Sequence, residues 1–188
     1  MASVSETDHI QRLLISELPD SFTSLDGFRI ESQQVVVGDG AKRPTLKVEL
    51  HALKVPELRC SACGSTHIRK WRDYAYTLQD LPTKNCVVEL TFVGRRIGCM
   101  EKSCKKWTTN VRVTSEIESE YRQITKRLEE WLLRWAAEHY IPEKNCFSRL
   151  INYPKLSLYT GMHRNSIRLM FKEWAEKTYP SQKAIAEG

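Results

Sequence analysis

From Thr45 to Lys54 apolar and polar residues alternate, with Leu46, Val48 and Leu50 set against Lys47, Glu49 and His51. That period of two predicts a strand with one buried face. The preceding run FRIESQQVVV is also extended in character, and Gly38-Asp39-Gly40 between the two supplies turn residues, so the pair predicts a β hairpin. Further upstream, Ile10, Leu13, Leu14 and Leu18 fall at helical spacing and predict a short N-terminal helix closed by Pro19. In CVVELTFVGRRIGC, Val88, Leu90 and Phe92 take one side of a strand and Glu89 and Thr91 the other; the aromatic-rich HIRKWRDYAYTLQD, ended by Leu81-Pro82, predicts its partner strand.

After Val113 the period lengthens. Ser115 followed by Glu118 has the form of a capping box, and Tyr121, Ile124, Leu128, Trp131, Leu132 and Trp135 mark one face of a helix running to about Tyr140, before Pro142. Three further helices are predicted in KNCFSRLINY, KLSLY and HRNSIRLMFKEWAEK, separated by Pro154 and Gly161. The resulting expectation is an α+β fold. An N-terminal helix and β hairpin occupy 1–56, a zinc ribbon 57–112, an all-α domain with a helix-turn-helix 113–180, and a frayed tail 181–188.

Composition narrows the function classes. The chain of 188 residues carries a formal charge of +6 and a pI near 9.0, a positive field that suits polyanions, nucleic acid first among them. No apolar run is long enough to span a bilayer, and the acidic N-terminus does not resemble a secretory signal, so a cytoplasmic protein without a membrane partner is expected. In a reducing compartment six cysteines point to metal or catalysis rather than to a disulfide framework.

Four of the six are grouped. Cys60-Ser-Ala-Cys63 and Cys99-Met-Glu-Lys-Ser-Cys104 form two pairs separated by one hairpin's worth of chain, the arrangement in which two tight turns close a tetrahedron of thiolates around one structural Zn2+. Gly64 suits the first turn. A redox pair at Cys60 and Cys63 would leave the second pair unexplained, and a catalytic zinc would need an open coordination position that four thiolates close. His67 is near enough in sequence to replace a thiolate; Cys86 and Cys146 have no partner at metal spacing and read as small apolar residues. Arg69, Lys70, Arg95, Arg96, Lys102, Lys105 and Lys106 flank the four thiolates, to offset their charge or to meet phosphates, with Arg95, Arg96, Lys105 and Lys106 the candidates for DNA.

In PKLSLYTGMHRNSIRLMFKEW, Leu156, Gly161, Ile167 and Met170 have the spacing of a helix-turn-helix, the glycine permitting the corner and the apolar residues pinning the second helix. That puts Ile167, Met170, Phe171 and Trp174 on the core face. His163, Arg164, Asn165 and Arg168 are the candidates for base edges, and Lys172 and Lys155 for phosphates. The alternative is an ordinary amphipathic helix with a solvated basic face.

Together, ELRCSACGSTHIRKWRDYAYTLQDLP and VELTFVGRRIGCMEKSCKKWTT resemble the zinc ribbon of insertion-sequence transposases of the ISL-three type, in which a cysteine pair, a "DLP" turn and an "RR-aromatic-x-C" strand precede a helix-turn-helix. Asp80-Leu81-Pro82 and Arg95-Arg96-Ile97-Gly98-Cys99 stand in those places, with isoleucine for the aromatic. The resemblance covers residues 25 to 175 or so and implies recognition of DNA ends, with the cysteines as zinc ligands. The family's ribonuclease-H-like catalytic domain would begin where this chain stops, so the expectation is a non-enzymatic accessory protein of a mobile element. It would bind double-stranded DNA and recruit a recombination or transposition protein. The alternatives are a transcription regulator, as a homodimer on a palindromic promoter site, and a zinc-ribbon protein-interaction adaptor anchored by Tyr121, Trp131 and Trp135.

Overall fold

The computed structural model describes residues 18–37, 43–121, 123–141, 144, 146–148 and 151–180. The expected N-terminal helix, apart from Leu18, the hairpin tip at Gly38-Asp39-Gly40 and the C-terminal tail lie outside the described residues. Leu18 itself is buried.

Strands β1 (Phe28–Val36) and β2 (Thr45–Ala52) pair antiparallel as expected. So do β3 (Ile68–Asp80) and β4 (Val87–Cys99). The two hairpins are not separate units. β2 runs parallel to β4, matching Leu46 to Val88, Val48 to Leu90 and Leu50 to Phe92, and β5 (Thr108–Val111) pairs with the far end of β4, giving one five-stranded sheet. An isolated hairpin is marginal in water, and these two each carry an apolar row in the same register. Side by side the rows form a single face, buried under Phe22, Leu25, Phe28, Val113 and Ile117.

The described residues hold three helices: α1 (Lys126–His139), α2 (Tyr153–Thr160) and α3 (Arg164–Thr178). The fold is therefore mainly β sheet, and the expected hairpin and ribbon followed by an all-α domain is corrected on several points. Ser115 and Glu118 do not start a helix. Glu118 instead accepts from Thr114 Oγ1 at 3.1 Å and pairs with Arg112, fixing a turn, and Gln123 with φ 59° reverses the chain before Thr125 caps α1 by accepting from the Leu128 N–H. The segment expected as a helix at KNCFSRLINY contains instead β7 (Cys146–Phe147), paired with β6 (Tyr140–Ile141). Pro154 opens α2 rather than separating two helices, in the first turn where a missing N–H costs nothing.

The helices build a second core in which Leu128, Trp131, Leu132 and Trp135 of α1 meet Leu156 of α2 and Ile167, Met170 and Phe171 of α3. The apolar face of α1 is thus the expected one, although the helix starts later. The seam between the two cores lies at the end of β3. There the Gln79 N–H donates to Gln123 O at 2.7 Å and the Thr125 N–H to Gln79 O at 2.9 Å.

Candidate metal centre and nucleic-acid interface

Sheet register assembles the cysteines. Pairing of Ile68 with Cys99 sets the turn before β3 beside the end of β4. The Met100 N–H donates to His67 O and the Cys99 N–H to Trp107 O, both at 3.0 Å, which folds the second turn back onto the first. In the first turn Gly64, at φ 72°, donates its N–H to Cys60 O at 2.8 Å, a backbone shape in which a side chain would be strained.

Sγ of Cys60 lies 3.6 Å from Sγ of Cys104, and Sγ of Cys63 lies 3.6 Å from that of Cys99; all four sulfurs fall within 4.8 Å of one another. A tetrahedron with metal–sulfur bonds of about 2.3 Å has sulfurs about 3.8 Å apart, so the set can hold one metal ion. Its electrostatics ask for a cation. The Ala62 and Cys63 amides hold the Cys60 thiol down at about 6. Cys99 is pushed up to about 12: the Glu101 amide pulls it down, but burial and the neighbouring thiols outweigh that pull. Cys104 also moves up, against the Lys106 amide, which lies 3.4 Å from its sulfur. Four thiolates this close repel one another unless a metal neutralises them.

His67 is outside the cluster. Its Nδ1 lies 3.6 Å from Glu101 Oε1 and its side chain is exposed. Cys86 is half-buried and its N–H donates to Thr83 Oγ1 at 2.9 Å. Cys146, expected as a small apolar residue, is exposed, because it sits in a ribbon only two residues long.

The candidate DNA-contacting residues separate into two groups. α2 and α3 are joined by Gly161, Met162 and His163, with Gly161 at φ 73°. A Cβ on Gly161 would stand 2.7 Å from Val87 Cγ1, so glycine is required there for space as well as for conformation. Beyond the turn, Ile167, Met170 and Phe171 are buried, while His163, Arg164, Asn165, Arg168 and Lys172 are exposed along α3. His163 caps the helix, its Nδ1 accepting from the Asn165 N–H at 3.3 Å. Arg168 lies over the Tyr153 ring and Lys172 is 3.7 Å from Glu176. Lys155 on α2 is half-buried, and its N–H donates to Asn152 Oδ1.

Arg95, Arg96, Lys105 and Lys106 belong to the metal end of the sheet. Arg95 is 3.6 Å from Asp73, Arg96 lies over Trp71, Lys106 Nζ donates to Ser61 Oγ at 3.1 Å, and Lys105 is exposed. Sequence reasoning missed the structural weight of Asp80, fully buried at the seam. Its signal was a lone acid closing an alternating strand on the buried side, in line with Leu78. No protein-family model, curated protein or solved structure matches the chain. No described helix is long and apolar enough to cross a membrane.

Proposed function

We propose that this chain is a sequence-specific duplex DNA-binding protein held in shape by one structural zinc, an accessory factor of transposase-like DNA recognition with no cleavage chemistry of its own. The observation that carries the proposal is the exposed row His163, Arg164, Asn165 and Arg168, leaving a three-residue glycine turn with a buried apolar stripe behind it. In a helix-turn-helix the first residues of the second helix enter the major groove, where arginine and asparagine reach guanine and adenine edges bidentately. Lys172 and Lys155 flank the row and meet phosphates.

Zinc suits the cysteine set because four soft thiolates and a closed tetrahedral shell supply folding energy without an open catalytic position. Free thiols in this arrangement also suit the reducing cytoplasm. The adaptor alternative is disfavoured because two of its anchors, Trp131 and Trp135, are buried in the core, and Tyr121 is half-buried. The protein recruits a recombination or transposition protein to the site it marks.

The test is selection of bound duplexes from a random pool by the zinc-loaded protein, followed by footprinting and a salt titration. A single enriched motif is expected, with affinity falling steeply in salt at a log–log slope of about −0.9 per phosphate contacted. No enrichment together with a flat salt response overturns the proposal. A symmetric footprint at a promoter would assign the same surface to transcription regulation.

A further inference from the structure

The metal end of the sheet presents a second surface, built on different residues from α3. Cross-strand partners share a face, so the pairs Arg72–Arg96, Tyr74–Gly94 and Tyr76–Phe92 place Arg72, Tyr74, Tyr76 and Arg96 on one side. Trp71 joins them through the irregularity between Lys70 and Arg72, its indole lying across Gly98, where a Cβ would come within 3.0 Å of Nε1. Gly94 does the same for Tyr74, whose ring carbon would sit 2.8 Å from a Cβ. The two glycines thus let two aromatic rings lie down on the backbone, and Trp71 remains 51% exposed.

Cations frame the rings. The Arg96 guanidinium lies over Trp71 at 5.8 Å and that of Arg112 over Tyr76 at 4.8 Å. Arg69, opposite Gly98, and Arg72, opposite Arg96, are exposed on this face, while Lys70, opposite Ile97, alternates to the other. The nearest acid on that strand, Asp73, alternates to the opposite face, where it meets Arg95. Two polar atoms on this face, Tyr74 Oη and Arg96 Nε, are buried with no hydrogen-bond partner among the described residues.

We infer that this face binds unpaired, single-stranded nucleic acid: a base stacks on Trp71, and its phosphates meet Arg69 and Arg72. Exposed aromatic faces interleaved with arginine are the means by which proteins hold single strands with little sequence preference, since every base offers a π face. A duplex hides those faces inside its stack. The surface is therefore complementary to a strand that is already unpaired.

The test uses the zinc-loaded full chain and a short fluorescein-labelled oligothymidylate, followed by anisotropy, with oligouridylate and a duplex of the same length as competitors. Trp71→Ala should weaken binding on the order of tenfold, while Trp71→Phe, which keeps a ring, should restore most of the affinity and lose the oligonucleotide-induced quenching of tryptophan emission. Arg96→Ala should weaken binding and flatten its salt dependence. If Trp71→Ala misfolds, as judged by zinc content and thermal melting, Trp71→Phe and Arg96→Ala carry the test. Wild-type affinity and wild-type quenching in Trp71→Phe, or unchanged affinity in a folded Trp71→Ala, overturns the inference, as does competition by duplex equal to that by single strand. The strength of oligouridylate as a competitor relative to unlabelled oligothymidylate separates RNA from DNA. Arg164→Ala should leave oligothymidylate affinity intact, so this surface and the duplex-reading helix fail independently.

Discussion

Asp80 and Arg127, 47 positions apart, meet at the seam between sheet and helices: Arg127 Nε donates to Asp80 Oδ1 at 2.6 Å and a second guanidinium nitrogen pairs with Oδ2. Thr125, which caps α1, donates its hydroxyl to the same Oδ1 at 2.6 Å. One fully buried carboxylate therefore fixes both the cap of α1 and its position on β3.

Removing the partner of that carboxylate leaves a buried charge without compensation. Arg127→Ala is expected to cost about 3 to 5 kcal/mol, and the double variant Asp80→Ala/Arg127→Ala less than the sum of the singles. Urea unfolding of the four proteins measures the coupling, and strict additivity would show that the pair does not act as a unit.

Metal content should be one zinc per chain, lost in Cys63→Ser together with the fold of the ribbon and retained in Cys86→Ser, whose sulfur is outside the cluster. Elemental analysis and thermal melting of each variant are the measurements. One retained zinc and wild-type stability in Cys63→Ser would remove Cys63 from the site.

Metal affinity should also depend on pH. The thiols of Cys99 and Cys104 are pushed up in the metal-free protein, so near neutrality they hold protons that a metal must displace. Since binding releases protons, affinity rises with pH from about 6 to 8 and falls in acid. Chelator competition at several pH values measures the slope, which is zero if the ligands are already ionised.

Arg164 is exposed at the first turn of α3. Arg164→Ala should weaken specific duplex binding by about 1 to 3 kcal/mol and leave the melting temperature unchanged. Equal affinity of the variant for selected and random duplexes, against a clear preference in the parent, would mark Arg164 as a base reader; an undiminished preference would exclude it.

Gly161→Ala faces two penalties, a positive φ and the Val87 methyl, and is expected to cost about 1 to 3 kcal/mol in stability. Denaturant midpoints of parent and variant decide it. A neutral result would mean that the turn relaxes without displacing α3.

Much of the local structure was legible because it follows from period alone. Leu46, Val48 and Leu50 alternate and are buried as alternation requires; Leu128, Trp131, Leu132 and Trp135 share a helical face. The cysteine grouping was legible because ligand spacing is itself local. Ser115 misled, since a side chain able to cap a helix can equally stabilise a turn, and the choice fell to Arg112, Thr114 and Tyr76, which hold Glu118 and the Val113–Thr114 backbone away from helical geometry.

By itself the sequence determined which residues alternate, which recur at helical spacing and which sulfurs come in pairs, because those properties depend on neighbours a few positions apart. Only the tertiary structure decided that β2 lies parallel to β4, that Asp80 is buried against Arg127, and that Trp71, Tyr74 and Arg96 share one face. Each is a meeting of distant segments, selected by which apolar rows cover one another and which buried polar groups find partners, and no local period encodes that selection.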